Sequence, residues 1–356
     1  MNTFATTGLT SIKDIARAAK VSHATVSRAL RDSPLVNPET AGRIRQIAHS
    51  MGYRPSAVAR GLVTKKTKTI GVVVTSIADP FNAEVLSGIE ETANDHGYSV
   101  FLANSNADPD RELKVVHSFH ERRVDGILVP ASRVGALYLP LLAQLQAPIV
   151  LINNQHPGGF VHSVMIDNIA ASGEATQHLI QLGHERIAYL GDQFGFQSDA
   201  ERFTGYRQAL EQAALPFRPE LVAHGDGKAE GGAQAMEKLL ALAEPPTAVF
   251  CYNDMSALGA LRVIRARGLS VPSDISLVGF DDLFIASYTD PMLTTIRQPK
   301  RQMGRMAMEI LLKLFAGALP TTNIQVQGEL IVRESTAPPK SRVTTGSSSD
   351  LVESLN

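Results

Sequence analysis

Apolar residues recur at helical spacing through the first fifty positions and in short unbroken runs after them. Ile12, Ile15, Ala16 and Ala19 form one apolar face, with Lys13 and Arg17 on the other side, so a first helix is predicted there. Ser11 followed by Asp14 reads as a capping box in its carboxylate form. After a short break at 19–21, Ser22 offers a second N-cap. In the helix it opens, Val26, Ala29 and Leu30 can pack inward, which leaves His23, Ala24, Ser27 and Arg28 outside. Asn37, Pro38 and Glu39 supply an N-cap, a proline at N1 and an acid in the first turn of a third helix running to about Met51. Its Ile44, Ile47 and Ala48 would close a three-helix core. Two helices joined by so tight a turn form a helix-turn-helix, whose second helix enters a major groove. Arg28 there could bond a guanine bidentately or grip a phosphate. The bland alternative is an amphipathic helical cluster that binds nothing.

Beyond Lys68 the pattern changes to short apolar strands alternating with helices. Strands are predicted at Thr69–Val74, Ser99–Ala103, Asp125–Val129 and Pro148–Ile152, then at Arg186–Leu190, Ala248–Cys251 and Ile275–Val278. Helices are predicted at Phe81–His96, Asp110–Arg122, Ala170–Leu182, Ala200–Ala213, Ala229–Leu242 and Met255–Arg267, with Gly97, Gly183 and Gly268 suited to C′ positions. Alternating β and α with continuously apolar strands implies doubly wound parallel sheets, here in two successive sets. Ligands in such sheets sit at the carboxyl ends of the strands, so a cleft between the halves is the expected site.

Polar residues directly after strands are the candidates to line it: Asp79, Asn153, Asn253 with Asp254, and Asp281 with Asp282, joined by Arg202. Carboxylates, carboxamides and an arginine, with no Ser-His-Asp order and no metal spacing, suit the vicinal hydroxyls of a sugar. Taken singly, each such residue is more often a turn former or a helix cap, and Asp254 in particular is expected to cap its helix.

Charge weakens the bland alternative for the head. The chain carries a net charge of only −1, yet residues 1–70 hold twelve Lys or Arg against three acids, so the remainder is strongly acidic. A cationic head on an anionic body is the footprint of phosphate binding with counterion release. The single cysteine, Cys251, excludes a disulfide framework, fits a reducing cytoplasm and is expected to be buried and inert. No signal-peptide pattern and no membrane span are evident, and the Pro/Ser-rich tail from Pro338 reads as disordered.

Between head and body, residues 54–62 read as a hinge. Pro55 starts a helix well, but about eight residues are too few for an isolated one, and Gly61 weakens it by roughly 1 kcal/mol relative to Ala. Such a segment is expected to be unfolded or marginal when alone, and ordered only on a partner.

The head motif DIARAAKVSHATVSRAL and the hinge YRPSAVARGL, with the body segments IADPFNAEVLSGIE, QLGHERIAYLGD, CYNDMSALGALRVIRARGLSVPSDISLVGFDD and PMLTTIRQP, resemble the LacI/GalR family of bacterial transcription regulators. The resemblance covers roughly residues 11–335. It implies an all-α helix-turn-helix head joined by a hinge helix to an α/β body of two doubly wound parallel-sheet subdomains, like the type I periplasmic binding proteins. The expected division is 1–9 flexible, 10–53 DNA-binding, 54–68 hinge and linker, 69–337 effector-binding and dimerisation, and 338–356 a tail. Within the body, one subdomain takes about 69–166 plus 297–326 and the other about 167–296 plus 327–337. The implied partners are a pseudo-palindromic operator, a second copy of the chain and a small sugar or sugar-acid effector, with no cofactor, no metal and no membrane. On DNA the resemblance places Ser22, His23, Ala24, Thr25, Ser27, Arg28 and Asn37, with Ala57, Arg60 and a wedging Leu62 in the hinge. On effector it places Asp79, Phe81, Asn153, Arg202, Asn253, Asp281 and Gln298. One departure stands out: Gly227 occupies a position where several members stack an aromatic, so Phe81, Phe194 or Phe196 would have to supply the apolar wall. The function implied is repression of carbohydrate-utilisation genes under effector control.

Rival readings fare less well. A periplasmic-type sugar-binding protein without a DNA role would share the body but not the basic head. Gly225, Gly227 and Gly231 are spaced GxGxxxG rather than as a dinucleotide fingerprint, and a tight turn accounts for them. His117, His120 and His184 are isolated and form no ligand set, so an enzyme is not expected.

Overall fold

A computed structural model describes residues 10–53, 66–134, 138, 140, 144, 147–155, 162–318 and 322–340. The N-terminal stretch, the hinge with Ala57, Arg60 and Leu62, and the tail beyond Lys340 lie outside the described residues. The chain divides into two compact units, Met1–Thr67 and Lys68–Asn356.

The head holds α1 (Ile12–Ala19), α2 (His23–Ala29) and α3 (Pro38–Ser50). The capping box forms: Ser11 accepts from the Asp14 N–H while the Asp14 carboxylate accepts from the Ser11 N–H at 3.0 Å. Lys20 turns the chain in the left-handed region at φ 54°, and Ser22 then caps α2 through the Thr25 N–H at 3.1 Å. Asn37 accepts from the Glu39 N–H at 2.8 Å ahead of Pro38. Ile15, Ala16, Ala19, Val26, Ala29, Ala41, Ile44 and Ala48 make the core, with Leu30 and Ile47 half-buried at its edge. Ile44 is fully buried at the centre of so small a core. Ile44→Ala is therefore expected to cost about 2–5 kcal/mol, most of what a head of this size has to lose. Calorimetry should show any transition of the head lost or moved to lower temperature while that of the body stays in place.

The body contains two six-stranded sheets. In the first lobe β1 (Thr69–Val74), β2 (Ser99–Asn104), β3 (Gly126–Pro130), β4 (Ile149–Ile152), β5 (His162–Ile166) and β11 (Thr322–Val326) lie in the order β11-β5-β4-β3-β1-β2, all parallel. In the second lobe β6 (Ile187–Asp192), β7 (Val222–Gly225), β8 (Ala248–Cys251), β9 (Ser276–Asp281), β10 (Thr294–Arg297) and β12 (Glu329–Ile331) lie in the order β12-β10-β9-β8-β6-β7. Only β12, paired with β10, is antiparallel there. Helices on both faces explain why the central strands are apolar throughout rather than alternating. Gly97, Gly183 and Gly268 take the C′ positions at positive φ.

The first lobe carries α4 (Pro80–Asp95) and α5 (Pro109–Glu121); the second carries α6 (Asn168–Gln181), α7 (Gln197–Gln212), α8 (Ala229–Leu240) and α9 (Asp254–Ala266). A further helix, α10 (Lys300–Phe315), was not among those expected from the sequence. It leaves the second lobe and covers the first, and its side chains Met303, Ala307, Met308 and Leu311 complete the core around Ile70, Val72, Leu128 and Val150. The contact with α4 is backbone-close: a Cβ on Gly88 would stand 2.0 Å from the Arg301 carbonyl oxygen, and one on Gly304 2.1 Å from that of Val85. The chain thus passes between lobes three times, after β5, after β10 and between β11 and β12.

Two polar residues outside the cleft are structural. His184 Nδ1 lies 2.9 Å from Thr247 Oγ1, and Nε2 lies 3.0 Å from Ser276 Oγ and 2.9 Å from the Ala337 carbonyl oxygen, so it ties the core to the end of the body. Burial holds its imidazole below the usual value. Cys251 is fully buried in β8, and burial raises its thiol far above the reactive range.

Candidate nucleic-acid interface and ligand cleft

On the head, the caps and core of α2 fix what it shows outward. Val26 and Ala29 are buried, so Ser22, His23, Ala24 and Arg28 are exposed, with Thr25 and Ser27 partly so. Asn37 is exposed at the start of α3. A groove of about 530 Å³ runs beside the start of α2, lined by Lys13, Ala16, Arg17, Lys20, Val21, Ser22 and His23. Three cations therefore border the N-terminal end of the exposed helix, where α-helical N–H groups also favour an anion. The arrangement can grip a phosphate backbone and present His23, Ala24, Ser27 and Arg28 to base edges.

In the body, chain order places the switch points between β1 and β3 and between β6 and β8. The loops that leave the carboxyl ends of these strands, and of β4 and β9, converge on the cleft. Asn153, after β4, sits at φ 46°; its Nδ2 donates to Gln298 Oε1 at 3.0 Å and its Oδ1 accepts from the Ile166 N–H at 3.2 Å. Gln298 in turn donates from Nε2 to Asp281 Oδ1 at 2.6 Å. Asp281 ends β9 at φ 121°, a backbone region costing about 1–3 kcal/mol for a non-glycine residue, and Asp282 follows at φ 49°. Surroundings enforce that bend. Lys300, itself buried, donates from Nζ to the carbonyls of Asp281 and Asp282 and pairs with Glu84 of α4 at 3.3 Å. Asp282 is clamped by Arg297 at 2.7 Å and Arg333 at 2.6 Å.

Arg202 completes this end. Its guanidinium lies 3.6 Å from the centre of the Phe280 ring and 4.7 Å from that of Tyr252, while Nε donates to Asn168 Oδ1 at 2.9 Å and Nη1 to the Tyr252 carbonyl. Burial pushes the Asp281 carboxyl up to about 6 against the pull of Arg202 and Lys300, and the neighbouring Asp79 adds to the rise. Burial likewise raises Asp79, which caps α4 by accepting from the Phe81 N–H at 3.0 Å.

The structure thus brings Asn153, Gln298, Asp281, Arg202 and Asp79 together. Two other expected residues are placed differently. Phe81 packs half-buried against the core of the first lobe. Asn253 is the N-cap of α9: its Oδ1 accepts from the Ser256 N–H at 2.8 Å and its Nδ2 donates to the Gly227 carbonyl at 2.9 Å. That corrects the expected role of Asp254. One residue further along, its carboxylate faces inward and accepts from Thr295 Oγ1 and, at 2.7 Å, from the Leu283 N–H.

Sequence reasoning missed a second group. Gln155 of the first lobe accepts at Oε1 from Ser198 Oγ at 2.7 Å, and Ser198 Oγ is 2.9 Å from the Tyr252 hydroxyl. Arg133, after β3, reaches across to the Phe196 ring, 4.2 Å from its centre, and lies 5.4 Å from that of Phe194. Asp192 ends β6 in the same corner. Phe194 and Phe196, named as alternative walls, are therefore at the cleft edge and covered by a cation. Gly227, at φ 73°, occupies the turn expected there.

Residues 11–56 match the family model of bacterial regulatory proteins of the lacI family, and residues 176–336 match the periplasmic binding protein-like domain. The chain is 37% identical over 329 residues to the HTH-type transcriptional regulator RegA of Clostridium saccharobutylicum, across 92% of this chain and 99% of that one. Among solved structures, the Lac repressor dimer bound to operator and the anti-inducer ONPF aligns with a TM-score of 0.84 at 27% identity, over 92% of this chain and 99% of that one. A complex of the transcriptional regulator CelR with cellobiose aligns at 0.70 and 30% identity, over 92% and 99%. No described helix is long and apolar enough to cross a membrane. The chain belongs to the LacI family: it is a bacterial regulatory protein, not an enzyme.

Proposed function

We propose that the chain is a cytoplasmic repressor of carbohydrate-utilisation genes. It acts as a homodimer on a pseudo-palindromic operator, and a small sugar or sugar acid bound between the lobes sets its operator affinity. The head, residues 10–53, reads DNA through Ser22, His23, Ala24, Thr25, Ser27, Arg28 and Asn37, and Ala57, Arg60 and Leu62 of the hinge join it on the operator. The body, residues 69–337, holds the effector through Asp79, Asn153, Arg202, Asp281 and Gln298, with Asn253 and Phe81 shaping the walls.

The observation that carries the effector reading is the hydrogen-bonded row Asn153–Gln298–Asp281 beside Arg202, built on strained backbone between the lobes. Backbone strain held in place by surrounding ion pairs is a recurrent feature of functional sites. A carboxylate, a carboxamide and a guanidinium side by side can satisfy both hydroxyls of a vicinal diol. Effector binding would shift the lobes and so change how readily two hinges pair, and a coupling of about 1–3 kcal/mol moves operator affinity some 5–150-fold. The similar CelR and Lac repressor structures, described with cellobiose and with operator, support both halves of the reading.

The test is calorimetric titration of the full-length protein with ribose, cellobiose, glucosamine and gluconate between pH 5 and pH 8. Asp281 accepts hydroxyls as a carboxylate, and its carboxyl lies at about 6 in a setting of Arg202, Lys300, Asp79 and Asp254. Ionisation is therefore complete at pH 8 and lost as pH falls through that value. Affinity for the ligand that binds should hold from pH 8 to 7 and weaken toward about tenfold per unit below 6. A flat profile down to pH 5 would show that no ionised Asp281 takes part.

A further inference from the structure

The cleft has a second end, distinct from the Asp281 row. Asp192 is only 3% exposed, and its two carboxylate oxygens differ sharply. Oδ1 accepts from the Phe194 N–H at 2.7 Å, whereas buried Oδ2 has no hydrogen-bond partner among the described residues. A buried carboxylate oxygen left open costs free energy that folding alone does not recover. With Oδ1 held by the Phe194 N–H, Oδ2 borders Gly227: a Cβ added there would stand 3.7 Å from Oδ2, 3.7 Å from Asn253 Nδ2 and 3.5 Å from Tyr252 Cε1. The absence of that Cβ keeps this corner open, between Tyr252, Asn253 and the Arg133 guanidinium that arrives from the first lobe. Asp199 and Asp226 add negative charge around Asp192, and Arg133 is the countercharge.

We infer that Asp192 Oδ2 is a specificity-determining acceptor for a hydrogen-bond donor of the effector, a hydroxyl or an ammonium, and that this corner turns away carboxylate-bearing ligands. The inference rests on the cleft being the effector site and narrows what that site takes: neutral or amino sugars, not sugar acids. Asp192, Asp199 and Asp226 outnumber Arg133 at this corner, with Arg202 beyond Tyr252 and His224 beside Asp199, so a further anion is disfavoured while a donor satisfies Oδ2 at once.

Asp192→Asn provides the test, because Phe194 holds one oxygen in place and the amide nitrogen must then occupy the position of Oδ2. An acceptor becomes a donor without change of shape. In the wild type, ribose, cellobiose or glucosamine is expected to bind and gluconate not to; the three donors also separate hydroxyl from ammonium recognition. In Asp192→Asn the bound donor should lose about 10–100-fold in affinity and gluconate should gain. A second readout needs no ligand. Burial pushes the Asp192 carboxyl up to about 6, so its ionised form burdens the folded state above that pH and not below the ordinary carboxylate value. Asp192→Asn should therefore raise Tm at pH 8, by about 2–4 °C for each kcal/mol relieved, and by less at pH 4.5.

Equal binding of the donor by wild type and Asp192→Asn overturns this inference and leaves the effector site standing. So does gluconate binding to the wild type as tightly as the neutral sugars. Absence of any pH-dependent Tm gain shows that Oδ2 is not an open buried carboxylate, which overturns it as well. Failure of all four ligands to bind the wild type overturns the sugar-effector reading itself.

Discussion

Asp281→Gly is expected to abolish the effector response while leaving the fold intact. Two terms act on binding. The carboxylate can accept two hydroxyls, each charge-assisted bond worth about 1.5–3 kcal/mol, so the loss amounts to about two to four orders of magnitude in affinity. Gln298 also loses the acceptor that fixes its amide beside Asn153. On stability the terms oppose. Glycine adopts φ 121° without strain, which returns about 1–3 kcal/mol, whereas an unpaired Gln298 Nε2 costs a similar amount. The variant should therefore melt within a few degrees of wild type and bind operator, but be deaf to the ligand that shifts the wild type. A large fall in Tm would mean that Asp281 is a structural keystone and that its strain serves the fold.

The other large effect belongs to the head. Residues 1–70 carry twelve cations against three acids. A dimer neutralising about six to ten phosphates should lose about 10³–10⁵ in affinity for an operator, selected from random duplexes, between 50 and 200 mM salt. Arg28→Ala then separates two roles for the exposed guanidinium. If it reads a base, affinity drops by about 1–3 kcal/mol at every salt concentration and discrimination relaxes at one position of the site. If it holds a phosphate, all sequences weaken alike and the salt slope shrinks by about one. The predicted outcome is the first, because Arg28 projects from the same exposed face as His23 and Ala24. A salt slope near zero for the wild type would remove counterion release as the source of affinity.

Much of this was legible in the chain. The head could be read because its signals are local: Ser11 with Asp14, Ser22, and Asn37 with Pro38 each act within a few residues. The central strands could be read because burial on both faces makes them uniformly apolar. Strands such as β7, with its exposed His224, β10, whose Arg297 is exposed, and β12 lie toward sheet edges and lack that signature. Helix α10 escaped because it begins after Pro299 without a side-chain cap and its partner is a distant segment of the chain. In the cleft, polar residues after strands pointed to Asp79, Asn153 and Asp281. The same rule reaches Asp192, but β6 continues through Gly191 to Asp192 where the apolar run ends at Leu190. Arg133 and Gln155 also follow strands, β3 and β4, but nothing singled them out, since their role depends on which loops of the opposite lobe they face. Asn253 rather than Asp254 caps α9 because the helix starts one residue earlier than the apolar pattern implied.

The three crossings between lobes bear on how the protein is made. The apolar surface of the first sheet, with Ile70, Val72, Leu128 and Val150, is complete in the nascent chain once residue 166 has emerged, but the helix that shields it ends at Phe315. At about 5–20 residues per second that surface waits on the order of 8–30 s during synthesis. For that interval the growing polypeptide presents a sticky, half-built layer to the cell, and its first lobe matures only after most of the second has been translated.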